Sequence, residues 1–195
     1  MANKDAAFGL RPIGKVGQNK DNQGLSEYNI AANSSAIYQN DTVQFLATGY
    51  VGVADTTTAV LLGSLNGVFY TDTADQKPRW ANHLAASNAA TDIVGFVSDD
   101  PYERFEVQSS TTLAIADIGL NANIVYAAGS SPNFVSKVEV DTTSGNMVST
   151  TAQFRVVGVA KDIENSELSN VTTYAANVNV VGIINEHFLK STSGI

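Results

Sequence analysis

The sequence predicts an all-β fold, an antiparallel β-barrel or β-sandwich with an extended N-terminal arm and long loops. Three observations predict it. Apolar residues recur at every second position in many short runs, the period of half-buried strands. Those runs are bounded by clusters of Asn, Asp, Gly, Ser and Thr, the residues of turns. No helical repeat of apolar positions lasts beyond about two turns.

Residues 1–24 hold Gly9, Gly14, Gly17, Gly24, Pro12 and the polar run Gln18-Asn19-Lys20-Asp21-Asn22-Gln23. No pattern is sustained there, so this is the arm, with a flexible joint near Gln18 to Gly24. Residues 25–195 form a single β domain. Tyr28 and Ile30 alternate with Glu27 and Asn29. Asn40-Asp41 is a turn before a strand over 42–46, and Thr48-Gly49 separates that strand from one over 50–54. Residues 59–65 read as a short buried strand. Asn66-Gly67 is the strongest two-residue hairpin signal in the chain, and 68–71 is the returning strand. Pro78 makes the run Lys77-Pro78-Arg79-Trp80 an edge strand. Ile93 to Val97 leads into the turn Asp99-Asp100-Pro101.

Arg104 to Gln108 alternates again, Phe105 and Val107 on one face and Arg104, Glu106 and Gln108 on the other. Ser109 to Thr111 then reads as a tight turn to a second strand beginning at Leu113, followed by a glycine-interrupted helical turn at 117–121 and a short strand over 123–127. Val138 and Val140 alternate with Lys137 and Glu139. The stretch 141–151, rich in Thr, Ser and Gly, is a mobile hairpin tip or a long loop. Gly158 marks either a bulge or a close backbone approach in a strand over 154–160. Residues 161–170 are a polar loop, and 178–184 is a strongly β run.

The chain has 195 residues, enough for one domain with a proper core. Charged residues are 15% and hydrophobic ones 44%, which excludes an acidic disordered chain. No apolar run approaches a membrane span, and the first residues lack a signal peptide's apolar stretch. The absence of cysteine excludes a disulfide framework and fits folding in a reducing cytoplasm. A net charge of −8 argues against binding nucleic acid through the bulk surface. That charge is uneven. Residues 1–20 carry Lys4, Arg11, Lys15 and Lys20 against Asp5, a net +3, which leaves −11 for the rest.

Asp99, Asp100, Glu103 and Glu106 place four carboxylates within eight residues. A calcium loop would need a glycine at its sharp bend, and none lies between them. A glycosidase would need two carboxylates about 5–10 Å apart across a cleft, a separation that sequence does not set. A solvated turn and outer strand face accounts for them, and no catalytic residue, metal or cofactor is expected. His83 has no partner at metal or triad spacing. The candidate partner-binding residues are Phe8, Leu10, Arg11, Pro12 and Ile13 of the arm, with Trp80, the only tryptophan. Buried-type side chains on a cationic arm pack either on their own body or on another chain, with the glycines as joints.

Phe8-Gly9-Leu10-Arg11-Pro12, Phe69-Tyr70-Thr71-Asp72, the run SDDPYERFEVQ over 98–108, Asp117-Ile118-Gly119-Leu120-Asn121 and Ile183-Ile184-Asn185-Glu186-His187 occur in this order. Together they resemble a family of small tailed-bacteriophage virion proteins that accompany the major capsid protein as head decoration, or cement, proteins. The resemblance implies a structural protein without enzymatic activity, on the outer surface of the capsid and assembled in the host cytoplasm. It implies the major capsid protein as partner and a homo-oligomer, a trimer before a dimer, with no nucleic acid or membrane partner. Stretches 141–151 and the loop near Ser166 match no family pattern. Two alternatives remain: a tail or fibre component, or a β module that binds surface sugars.

Overall fold

The computed structural model describes residues 3–17 and 24–191. In chain order the strands are β1 (Arg11–Lys15), β2 (Ser26–Asn29), β3 (Thr42–Phe45), β4 (Val51–Val53), β5 (Gly63–Thr71), β6 (Pro78–Ala81), β7 (Val94–Ser98) and β8 (Glu103–Gln108). They continue as β9 (Leu113–Ala114), β10 (Asn121–Ala122), β11 (Ile124–Val125), β12 (Glu139–Val140), β13 (Phe154–Val159), β14 (Leu168–Asn170), β15 (Thr173–Tyr174) and β16 (Asn179–Ile184). Two single 3-10 turns, Ile115–Asp117 and Phe188–Lys190, are the helical pieces among the described residues. Strand makes up 40% of the structure, the sheets are antiparallel, and the arrangement fits a β-sandwich; among the described residues no sheet closes into a barrel.

Two sheets dominate. One has the order β1-β8-β16-β13-β10, the other β2-β7-β5-β3-β4 with β6 added beside β5. Each covers its own apolar core. Leu10, Phe105, Val107, Phe154, Val156, Val180 and Ile184 fill the first; Val43, Leu65, Val68, Val97 and Ile93 fill the second. Leu61 and Leu62 are adjacent in sequence and point into different cores. The period-2 alternation thus knits the two cores together at one point of the chain.

Most expected strands form, and Gly158 does sit at a bulge: the register between β13 and β16 slips between Val156 and Gly158. Three local expectations are corrected. Asn66-Gly67 is not a hairpin turn. β5 runs unbroken through it for nine residues, and the extra residue is absorbed as a bulge against β7, between Leu65 and Gly67. The hairpin turn lies later, at 72–77, where the Asp72 amide donates to the Lys77 carbonyl. Second, Ser109 to Thr111 does not fold β9 back on β8. β8 lies between β1 and β16, and β9 pairs with β15. Third, the polar stretch 161–170 is not all loop, because its end forms β14.

The N-terminal arm is part of the sheet. β1 pairs antiparallel with β8, Arg11 opposite Glu106 and Lys15 opposite Glu103, with a bulge between Pro12 and Gly14. Residues 18–23, where a flexible joint is expected, lie outside the described residues.

Candidate docking surface

Ahead of β1, the arm is held by polar side chains of the body. Asn165 Nδ2 and Gln108 Nε2 both donate to the Lys4 carbonyl, at 2.8 and 3.0 Å, and the Ala6 amide donates to Gln108 Oε1 at 2.9 Å. Asn40 Nδ2 donates to the Phe8 carbonyl at 3.1 Å, and Ser64 Oγ to the Leu10 carbonyl at 2.6 Å. An extended chain leaves half of its backbone groups without a ladder partner, and these side chains supply the partners. Gly9 is no joint. Its φ is +75°, and a Cβ there would stand 2.3 Å from the Asn40 carbonyl oxygen. Only glycine fits both the left-handed backbone and the contact.

The arm residues proposed as a docking clamp therefore separate into two sets. Leu10 is fully buried in its own core, which corrects the expectation that it reaches a neighbour. Phe8, half-buried, carries the Arg11 guanidinium over its ring at 4.7 Å. Arg11, Pro12 and Ile13 are exposed. Arg11 and Pro12 line a recess of 240 Å³ with Gln39, Asn40 and Asn66. Ile13 is the extra residue of the β1 bulge.

The four clustered carboxylates are all engaged. Asp99 accepts from Ser26 Oγ and from the Tyr28 hydroxyl. Burial, and then this bond, push the tyrosine up to about 12. Asp100 takes Lys15 Nζ at 2.8 Å, and that contact leads in holding its carboxyl below the usual range. Glu103 Oε1 accepts from the Gly14 amide at 3.1 Å, and burial pushes its carboxyl up. Glu106 Oε2 meets Arg11 at 2.7 Å, and its Oε1 accepts from Asn179 Nδ2 at 3.2 Å. The expected solvated outer face of β8 is a correction as well: Glu106 and Gln108 on that face are buried, because the arm and the 162–165 loop cover it. Among the described residues no group of three or more His, Asp or Glu side chains could hold a metal ion. His83 lies parallel to Phe134, ring centroids 3.9 Å apart, with Nδ1 3.1 Å from Asn82 Oδ1.

Trp80 stands elsewhere, on β6 in the other large sheet. Its side chain shares the outer face with those of its cross-strand neighbours. Trp80 pairs with Phe69, Phe69 with Val94, and Gly67 with Phe96. Paired residues point the same way across an antiparallel ladder, as do residues two apart. The alternate positions Val68, Leu65 and Val97 go inward to the core. Trp80 is 57% exposed and Phe69 40%. The indole lies across Gly67, where a Cβ would stand 2.8 Å from Trp80 Cζ2, and its far side meets the Phe96 ring at 4.7 Å between centroids. This aromatic face is the main surface feature that sequence reasoning missed. Its signal was present: Gly67, Phe69 and Thr71 alternate with Val68 and Tyr70. Reading Asn66-Gly67 as a turn cut the strand in two.

No protein family, curated protein or solved structure matches this chain.

Proposed function

We propose that this chain is a structural protein of a tailed-phage particle, a head decoration or cement protein on the outside of the capsid that holds capsomers together as a homo-oligomer. One observation carries the reading. Three of the stretches that resemble the family, around 8–12, 98–108 and 183–187, are far apart in sequence and converge in the adjacent strands β1, β8 and β16 of one sheet. A resemblance spread over unrelated parts of the surface would carry less weight than one that marks a single structural unit. The acidic surface favours a place away from packaged DNA, and the clustered carboxylates serve as acceptors within the fold. The major capsid protein is the expected partner.

A second reading rests on Trp80: an exposed indole on a sheet face also suits a sugar-binding tail or fibre module. Copy number separates the two. Quantitative mass spectrometry of purified particles, with a cryo-EM map, should find the protein in many copies at junctions between capsomers. A few copies confined to the tail would overturn the cement reading.

A further inference from the structure

The covered part of the first sheet's outer face takes in Glu106 and Gln108. Beyond it one ladder row reaches solvent. Gly14, Arg104, Ile183, Arg155 and Asn121 are successive cross-strand neighbours on β1, β8, β16, β13 and β10. Paired residues point to the same face, and Phe105, Ile184 and Phe154, one position along, go to the core. The row therefore places two arginines on the outside, Arg155 exposed and Arg104 partly so, with a half-buried isoleucine between them.

These two guanidiniums are set differently from the other two in the chain. Arg11 and Arg79 are matched with carboxylates. Arg155 is held by neutral carbonyls instead, its Nε donating to Asn121 Oδ1 at 2.9 Å and its Nη2 to Asn185 Oδ1 at 2.8 Å. Both asparagines are fixed in turn, by the carbonyls of Thr150 and Ala152. The guanidinium is thus positioned while its charge is left uncancelled, with three of its five N–H groups to spare. Arg104 has no ion pair among the described residues, and its Nε is buried without an acceptor. Its Nη2 leans toward β1, 3.9 Å from where a Cβ on Gly14 would stand. Lys190 adds a third cation, exposed, with Nζ 4.8 Å from the centre of the Tyr102 ring. Burial, and then Arg155, hold its ammonium below the usual range; Asp100, which acts the other way, is already taken by Lys15. Glu106, two residues along β8, is taken by Arg11. On a chain of net charge −8, three cations therefore gather here without a paired carboxylate among the described residues. Screening over about 8 Å at physiological salt lets an approaching anion meet this local charge before the net charge of the whole.

We propose that this row binds an acidic segment of a partner protein, an extended stretch with a carboxylate, an apolar residue and a second carboxylate at alternate positions. In an extended chain residues i, i+2 and i+4 share a face, and the outer two stand about 13 Å apart. Arg104 and Arg155 are two ladder steps apart, about 10 Å at the backbone, and Arg104 leans further out toward β1. The middle residue then covers Ile183, and each carboxylate meets a guanidinium whose planar fork suits it. The proposal goes beyond the cement reading and stands without it, since copy number on the particle does not bear on it.

The full chain is titrated with the capped peptide Ser-Glu-Thr-Leu-Thr-Glu-Ser while nitrogen–proton NMR follows the arginine Nε–H signals. The chain has four arginines, and Arg104→Lys and Arg155→Lys identify the two in question. The expected result is a saturable shift of Arg104 and Arg155 together, with Arg11 and Arg79 unmoved. Replacing both peptide glutamates by glutamine should weaken binding about tenfold. Lys190→Gln, at an exposed position, should weaken it about two- to threefold. No saturable shift in the wild-type protein, or one that moves all four arginines alike, overturns the proposal. So does a glutamine peptide that binds as well as the glutamate one. Inorganic phosphate acting as strongly as the peptide at equal ionic strength would reduce the row to a simple ion site. Tighter binding of single-stranded DNA would give the row to nucleic acid. Either result overturns the acidic-segment assignment.

Discussion

Arg11 and Glu106 are cross-strand partners on β1 and β8, their charged groups 2.7 Å apart, with the guanidinium also lying over the Phe8 ring. The carboxylate is nearly buried and the arginine about half exposed. Removing the cation leaves Glu106 with Asn179 as its remaining donor. Arg11→Ala should therefore cost about 1–2 kcal/mol, between the values for exposed and buried pairs. A double-mutant cycle in urea with Glu106→Gln tests it. Purely additive losses would mean that the pair contributes nothing of its own.

The arm should be required for the fold. Leu10 is fully buried, and the side chains of Gln108, Asn165, Asn40 and Ser64 lose their partners without the segment. Leu10→Ala should destabilise by about 2–5 kcal/mol. Deleting residues 2–16 should lower the melting temperature far more than Arg11→Ala does. A truncated protein that melts like the full chain would return the arm to the role of a free clamp.

Gly67→Ala should cost about 1–3 kcal/mol by crowding the indole and the Ala81 carbonyl. Trp80→Ala in the same chain should recover only part of that loss, because the carbonyl, at 2.9 Å from the added Cβ, is backbone and cannot swing away. Thermal melts of the two single variants and the double variant decide it. Full recovery would mean that the indole alone sets the requirement for glycine.

These positions also show where sequence legibility ends. The strands around Tyr28, Val43, Phe96, Val156 and Val181 were readable because one face of each is buried and the period is local. Gly158 was legible as a bulge or a close approach, and the register slip against β16 decides for the bulge. The burial of Glu106 was not readable. What covers it comes from Arg11, 95 residues earlier, and from Asn179, 73 residues later, and a charged residue alternating with Phe105 and Val107 reads as solvent-facing until those partners arrive. The arm misled for a related reason. Its first part, around Lys4 to Leu10, is satisfied largely by side chains of the body, and its β1 strand is short and bulged, so it carries no periodicity to detect. At Gly67 the same glycine that suits a type I′ turn also suits close approach of a neighbouring ring, and only the partner strand decides between them.

His187 should make stability fall in mild acid. It is buried, and its Nδ1 accepts from the Leu189 amide at 3.1 Å, so the neutral ring carries its proton on Nε2. Burial, with Lys190 adding to it, pulls the imidazole down to about 4, against the opposing influence of Asp99 and Asp100. An unfolded histidine takes its proton near 6.5. Between those values the unfolded chain binds the extra proton and the folded one does not, so this contribution is complete above about pH 6.5 and is lost as the pH falls toward 4. The full shift corresponds to about 3 kcal/mol. Asp41, pushed up to about 6 mainly by burial, works in the opposite sense, its penalty growing as the pH rises from about 4 to 6. The wild-type profile alone therefore hides both groups, and the difference between variants reads each one. His187→Asn keeps an acceptor for Leu189 and does not titrate. Its stability relative to wild type, from urea unfolding at pH 7 and pH 4.5, should improve by about 2 kcal/mol at the lower pH. An equal deficit at both values would mean that His187 titrates alike in the folded and unfolded chains.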